Sequence, residues 1–592
     1  MKLSLRLLSI PIFLIFLQNV YPQVAQKGVP PSFRYNLKNE VNFYDMPAFD
    51  IEAQKVEADA ESGTYKTKRY AKAFETDLVI AQYATLDTLD DGAYLFRLGI
   101  RSYNAYSIGV TLENYALPEG VAIYLYNLEK TDILGAFTSA NNSDSKVLSI
   151  APVKGEAVIM ECFVPAGVDF GKQLTVAQVA HDYTNIFEYL DDLQLKSGSC
   201  NVDINCKEGL DWQIEKRAVV KMLVNNIELC TGTLVNNSSY DASPYILTAN
   251  HCVNTSYKAE RTVFIFNYEN RICGINYAAE KQSLSGSTIK ATTPKIDFSL
   301  LELNTPPSDS LNIYFAGWRA TPEESKSSVC IHHPDGDAKK ISIDEEAPET
   351  ANYGEGYLEN SHWLILRWEI GTTEKGSSGS PIFDENHLII GDLTGGRANC
   401  RNSVNDYYSK FSVAWDSFND TTMQLKHWLD PLDLGITQLG GFDPRNPRYT
   451  HDAEAIEFYN IEPLYCKPDT ITPVLKFKNN GTEPLKTLSI NYQYDDNEWQ
   501  IFTWNGNLQA YIATEITLPS FTADYGNHRL QIITDSPNQT YDQNPKNDTL
   551  TFHFGVKRGV LYQLELLTDK FGNETHWELI ADNKDTIYAD GE

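Results

Sequence analysis

Gly-Ser-Ser-Gly-Ser-Pro at 376–381 is the stretch on which the reading of this chain turns. A serine hydroxyl is a poor nucleophile at neutral pH. It needs an imidazole to take its proton and a carboxylate to hold that imidazole in the right tautomer. Both occur upstream: His251 in Leu-Thr-Ala-Asn-His-Cys (247–252), and Asp297 at the head of Asp-Phe-Ser-Leu-Leu (297–301). The small residues around Ser378 let the backbone N–H groups of Gly376 and Ser378 point at one spot, where an oxyanion would be stabilised. Taken singly, a Gly/Ser turn reads as a loop, a His before a Cys as a core residue, and an Asp before an apolar run as a strand edge. In the order His, Asp, Ser, at domain-scale separation, they read as a base, its orienting acid and a nucleophile.

The composition sets the frame. A chain of 592 residues has room for three or four domains of about 100–200 residues each. Residues 1–23 carry Lys2 and Arg6, then the apolar run Leu7 to Leu17, and read as a secretory signal peptide, the run being shorter than the roughly 20 residues a membrane span needs. No other segment approaches that length, so a secreted protein, extracellular or at the cell surface, is expected, without membrane insertion. A formal net charge of -30 argues against nucleic-acid binding, for which a basic footprint is required. Nine cysteines in an exported chain imply a disulfide framework with an odd member. Sequence alone leaves the pairing open, although Cys230 and Cys252 bracket a short segment next to His251; a bridge there would close a loop of about 20 residues and stabilise by roughly 3 kcal/mol. No loop has a metal-ligand spacing, so neither metal nor cofactor is expected, and the sequence is silent on oligomeric state.

Hydrophobic patterning divides the chain. Residues 24–196 alternate apolar and polar side chains at Tyr94, Phe96, Leu98 and Ile100 and carry an apolar run Val121 to Tyr126 after the turn-forming Pro118, Glu119 and Gly120, predicting a β-rich domain. In 197–440, strands at Ala218–Val224 and Thr231–Val235 lead to His251, and a closing helix is expected to place Leu425, Trp428 and Leu429 on one face. Pro444, Arg445, Pro447 and Arg448 mark a linker over 441–452. Alternation at Leu488, Ile490, Tyr492 and Tyr494 predicts an immunoglobulin-like β-sandwich over 453–556. Residues 557–592 resemble the opening of a small β-domain that recurs after extracellular bacterial proteases, which reads as a fragment of something longer.

Several stretches within 197–439 resemble the lysyl endopeptidase group of trypsin-fold serine proteases: Gly-Ser-Cys-Asn-Val-Asp-Ile-Asn-Cys (198–206), Cys-Thr-Gly-Thr-Leu-Val-Asn-Asn (230–237), Asp-Phe-Ser-Leu-Leu-Glu-Leu-Asn (297–304), Ala-Gly-Trp (316–318) and Ile-His-His-Pro (331–334). The resemblance implies an all-β, trypsin-like double barrel acting on protein or peptide substrates. It also implies disulfides Cys200–Cys400, Cys206–Cys273 and Cys230–Cys252, and a propeptide removed between Lys196 and Ser197. His332 and His333 match the group as companions of the fold, outside the triad. Asp406 aligns with the carboxylate that the group places in the floor of the specificity pocket, with Thr394 and Gly395 lining it. Cleavage after basic residues, lysine above arginine, is therefore expected, and an enzyme cutting after lysine is able to mature itself at Lys196.

Two departures stand out. Trypsin-like enzymes usually carry Asp before the nucleophile, as partner of the freed amino terminus; here it is Ser377, which has no charge to offer, so the Cys200–Cys400 bridge is expected to tether that terminus instead. Lysyl endopeptidases usually carry His at the position of Thr394, next to an aromatic for which Tyr353 is the candidate. Two alternatives stay open: a protease of the same fold with another preference, such as Glu, and a non-catalytic binding protein on a protease scaffold.

Overall fold

The computed structural model describes residues 28–35, 37, 39–61, 65–170, 173–187, 197–274, 282–446 and 449–559, and the backbone of two strands, Trp577–Ile580 and Thr586–Asp590. The signal-peptide stretch, Lys196 and most of 557–592 lie outside the described residues. The chain forms two units, Met1–Arg448 and Tyr449–Glu592.

The amino-terminal part of the first unit holds two sheets. One runs Asn42–Asp45, Tyr94–Arg101, Ala157–Val164, Ala122–Asn127, Ile133–Phe137 in spatial order, and the other Ala71–Val79, Thr175–Asp182, Ser107–Glu113, Leu148–Lys154. The alternation read at Tyr94–Ile100 is only half of the pattern, since Leu95, Arg97 and Gly99 are buried too. Arg97 is accommodated by pairing with Asp87 at 2.6 Å and donating to the Asn39 carbonyl at 2.8 Å. A buried charge with both partners supplied does not disturb the strand.

Residues 197–443 build two further sheets, matching the double-barrel expectation. The first runs Gln282–Ser285, Val263–Phe266, Val219–Val224, Glu228–Leu234, Tyr245–Ala249, Phe298–Leu303, Ser287–Thr293. The second includes, in order, Lys340–Asp344, Ser328–His332, Pro381–Phe383, Ile389–Gly396, Val404–Lys410 and His362–Arg367. The core of the amino-terminal sheets continues into the first of them: Ile108, Val110 and Ile150 share one apolar cluster with Leu223, Leu229, Val263 and Ile265. Each such side chain removed from water stabilises by roughly 1.5–3 kcal/mol, so this contact is a packed interface. Within it the buried Lys221 ammonium donates to the carbonyls of Ile186 at 2.9 Å and Gly336 at 2.5 Å.

Among the described residues the cysteines pair as Cys200–Cys400, Cys206–Cys273 and Cys230–Cys252, the pairing implied by the resemblance. Cys162, Cys330 and Cys466 are unpaired. The expected closing helix is a single turn, Lys426–Leu429, with Leu425 and Leu429 buried and Trp428 half-buried. Its length is limited by Pro431 two residues on, which cannot continue a helix. The start of the expected linker is also ordered. Phe442 exchanges two backbone hydrogen bonds with Phe315, and Asp443 pairs with Arg217 at 2.6 Å.

The second unit contains one sheet of three strands, Ala453–Tyr459, Val474–Asn479, Ala513–Thr517, and one of five, Leu464–Tyr465, Thr549–Val556, Gly526–Asp535, Leu485–Tyr494, Gln500–Leu508. It is β-rich as expected; its immunoglobulin-like character stays an expectation.

Candidate active site

Strands Tyr245–Ala249 and Phe298–Leu303 pair antiparallel with Ala249 opposite Phe298. The residues just past one strand and just before the other therefore emerge side by side. These are His251 and Asp297. The His251 N–H donates to Asp297 Oδ1 at 2.9 Å, and His251 Nδ1 lies 2.7 Å from Asp297 Oδ2. Because a carboxylate only accepts, Nδ1 carries the proton and Nε2 is left as an acceptor. It lies 2.8 Å from Ser378 Oγ. The three residues are thus brought together in a geometry able to pass a proton from the hydroxyl to the imidazole.

Ser378 reaches this point on a loop of the second sheet, and Thr231 of the first sheet fixes the loop. The Thr231 N–H donates to the Ser378 carbonyl at 2.8 Å, its hydroxyl donates to the Gly376 carbonyl at 3.0 Å, and the same oxygen accepts from the His333 N–H at 3.2 Å. Glycine is required at Gly379, where φ is +78° and a Cβ would lie 2.5 Å from the Thr231 carbonyl oxygen. Ser377 is also held: its hydroxyl is 2.7 Å from His332 Nδ1, and His332 Nε2 is 3.1 Å from Ser342 Oγ. Complete burial pushes the His332 imidazole down to about 3, so it is neutral and serves Ser377 as a hydrogen-bond partner. No charge is needed in the place where trypsin-like enzymes put Asp.

Residues 197–200 are anchored beside the same loop. Ser197 Oγ donates to Asp337 Oδ2 at 2.5 Å, the Gly198 N–H donates to Glu374 Oε2 at 3.0 Å, and the Cys200–Cys400 bridge follows. Glu374 is two residues before Gly376, so this tether reaches the loop that carries Ser378.

Asp406 lies on Val404–Lys410, fully buried. Its Oδ2 accepts from Trp368 Nε1 at 2.9 Å and from Thr373 Oγ1 at 2.5 Å, and its Oδ1 accepts from the Ala398 N–H at 3.4 Å. The nearest cation is a side chain of the same protein. The Lys66 ammonium is 3.6 Å from Asp406 Oδ1, donates to the Thr373 carbonyl at 3.4 Å and makes a short hydrogen bond to the Ala398 carbonyl. The Lys66 carbonyl oxygen accepts from the N–H groups of both Gly376 and Ser378, the latter at 3.5 Å. Tyr65 forms an antiparallel bridge with Gly395, and its ring stacks on His251 with centroids 4.2 Å apart. Lys68 and Arg69 pair antiparallel with Leu229 and Glu228.

The Thr394 hydroxyl is 3.2 Å from Nε2 of His362. His362 stacks against Tyr353 with centroids 5.3 Å apart. Burial pushes its imidazole down to about 4, so it too is neutral. Sequence reasoning missed His362, Trp368, Thr373 and the whole 65–69 segment. Only the last left a trace in the sequence, as a basic Lys-Thr-Lys-Arg (66–69) in an acidic chain.

A family model described as lysyl endopeptidase, C-terminal domain, matches residues 195–409. Lysyl endopeptidase of Pseudomonas aeruginosa is 30% identical over 373 residues, covering 57% of this chain and 77% of the relative. The chain belongs to the lysyl endopeptidase family. It is a serine endopeptidase. Among solved structures, similarity extends to the secreted serine protease VesC from Vibrio cholerae, at 13% identity and a TM-score of 0.25 over 58% of this chain and 69% of that one. A Glu endopeptidase is similar at 15% identity and a TM-score of 0.24, over 33% and 85%. In this lysyl endopeptidase family member the position where a histidine was expected holds Thr394, and a histidine from a different strand, His362, lies beside it with Tyr353 as an aromatic neighbour.

Two outcomes follow for this family member. Thr231→Val keeps the shape but removes the hydroxyl that holds Gly376 and His333. It is expected to lower kcat by about tenfold or more, for roughly 1–3 kcal/mol of unsatisfied hydrogen bonding, with KM for a peptide substrate changed far less. Steady-state kinetics on the matured enzyme check this. The second outcome concerns acid. His332 and His362 have folded values below the ordinary histidine value, so the unfolded chain binds more protons between about pH 6.5 and 4. Their contribution is complete above that window and is lost as the pH falls through it. Asp344, raised by burial to about 7, works in the opposite direction. The urea midpoint of His362→Gln should therefore lose less, or gain more, than that of wild type as the pH falls from 6.5 to 4, measured at matched pH values.

Proposed function

We propose that this protein is a secreted endopeptidase, made as a zymogen, that hydrolyses peptide bonds after lysine with Ser378 as nucleophile, His251 as general base and acid, and Asp297 as its orienting partner. The observation that carries this reading is the placement of Lys66, with its ammonium at Asp406 and its carbonyl oxygen against Gly376 and Ser378. A substrate lysine placed in the same way presents its carbonyl carbon to Ser378. Attack transfers the hydroxyl proton to His251 Nε2, and the two N–H groups take up the charge that develops on oxygen.

Preference for lysine over arginine follows from the acceptors. Asp406 Oδ1 and the carbonyls of Thr373 and Ala398 converge on one point. An ammonium offers three N–H donors from a single atom, whereas a guanidinium spreads five over a rigid plane. The neutral His362 and Thr394 add polarity nearby without charge. A glutamate side chain would face the Asp406 carboxylate, which disfavours an acidic preference. Zymogen character is supported by the same segment, because a cleft filled by residues 65–69 admits no external substrate.

Matched peptides differing only in Lys, Arg, Glu or Leu before the scissile bond test the reading. Wild type is expected to favour Lys; Asp406→Asn should lose about a hundred- to several-thousandfold in kcat/KM on the Lys peptide, the equivalent of roughly 3–5 kcal/mol for an unpaired ammonium. Ser378→Ala provides the zero, with turnover lowered by about a millionfold. Equal cleavage after Leu or Glu by wild type, or an unchanged Lys preference in Asp406→Asn, would overturn the assignment.

A further inference from the structure

We infer that the Lys66–Thr67 peptide bond is cut by the protein's own active site, as a processing site separate from the junction before Ser197. The inference rests on the proposed roles of Ser378 and Asp406 and adds a substrate: this chain.

Residues 65–69 lie across the cleft as a substrate would. On the amino-terminal side of the bond, Tyr65 pairs antiparallel with Gly395 of the second barrel sheet. On the other side, Lys68 and Arg69 add an antiparallel strand to Glu228–Leu234 of the first, and Lys68 Nζ reaches Asp335 Oδ1 at 3.2 Å. Main-chain pairing on both flanks fixes direction as well as position, since reversing the segment would break both ladders. The bond between the two flanks has its carbonyl oxygen in the N–H pair of Gly376 and Ser378. The Tyr65 hydroxyl, 2.6 Å from that of Tyr357, holds the ring over His251.

The step balances without any further reagent but water. Ser378 Oγ bonds to the Lys66 carbonyl carbon while its proton passes to His251 Nε2. The carbon–nitrogen bond to Thr67 then breaks, and the Thr67 nitrogen leaves as an amine with that proton, giving an ester between Ser378 and Lys66. Water, deprotonated by His251, hydrolyses the ester to the Lys66 carboxylate and restores the serine. A crevice of about 330 Å³, lined by Tyr65, Thr67, Asn250, His251, Asp297 and Tyr357 among others, opens beside His251. At about 30 Å³ per molecule it admits several waters. The cut releases the flanks of the cleft but not the amino-terminal sheets, whose shared core around Leu223 and Val263 is untouched.

The test follows the purified full-length proprotein with time, quenched in denaturant, by intact mass and by identification of new termini. Wild type is expected to yield a terminus at Thr67 with a first-order rate constant unchanged on serial dilution, and Ser378→Ala to yield none. Lys66→Gln should slow the cut by about a hundredfold or more. Thr67→Pro, which keeps the pocket contacts of Lys66 but cannot present a normal leaving N–H, should block it. Peptide assays on matured wild type run alongside. Cleavage of lysyl peptides with no Thr67 terminus at any time would overturn this inference while leaving the proposed function standing. Failure of both would remove the proposed function itself. A Thr67 terminus in Ser378→Ala, or a rate that rises with protein concentration, would also overturn the intramolecular cut.

Discussion

Thr231 is the joint on which the site depends. Its backbone belongs to one barrel sheet, and its hydrogen bonds go to Ser378, Gly376 and His333 on the other. Thr248 adds a bond from its hydroxyl to the Thr231 carbonyl at 2.9 Å. The base and its acid come from one sheet and the hydroxyl from the other, so proton transfer between them is only as well defined as this junction. The Cys230–Cys252 bridge reinforces it from both sides, joining the neighbour of Thr231 to the neighbour of His251.

The surroundings of Asp406 rest on a second constraint, the cost of a buried charge. Asp406 sits where water does not reach, and two donors, Trp368 and Thr373, satisfy one of its oxygens. The other has only the Ala398 N–H at 3.4 Å besides the Lys66 ammonium at 3.6 Å. A buried carboxylate of this kind is destabilising until a partner arrives, and in this protein the partner is Lys66. The same ion pair that seats the amino-terminal segment is the one proposed to select a substrate. On the proposed reading, seating of the segment and choice of substrate share this ion pair, and a change at Asp406 is expected to alter both.

Two neutral histidines support neighbouring side chains. His332 supports Ser377 in the place where an Asp–ammonium pair is usual, and His362 stands beside Thr394 where a pocket histidine is expected. Both are buried and uncharged, so they position neighbours through hydrogen bonds that do not vary until the pH falls well below neutrality. The amino terminus of the protease segment is held separately, through Asp337, Glu374 and the Cys200–Cys400 bridge.

What the sequence determined by itself was the part that local chemistry writes in consecutive residues. Gly-Ser-Ser-Gly-Ser-Pro needs its glycines because the turn has φ values that side chains resist. His251 and Asp297 each sit at the end of an apolar strand run that is visible in the sequence, and Asp406 and the cysteine pairing came from motif resemblance. What only the tertiary structure decided was which distant residues meet. Alternation at Tyr94–Ile100 gave a strand but not the burial of its other face, because that depends on the sheet laid over it. His362 lies in no motif with Thr394, and becomes its neighbour because two strands of one sheet carry them to the same level. Lys66 is an ordinary basic residue in its own stretch. It becomes the occupant of the pocket because the packing of the amino-terminal sheets on the first barrel brings its segment across the cleft, and no local pattern encodes where a segment so remote in sequence will be delivered.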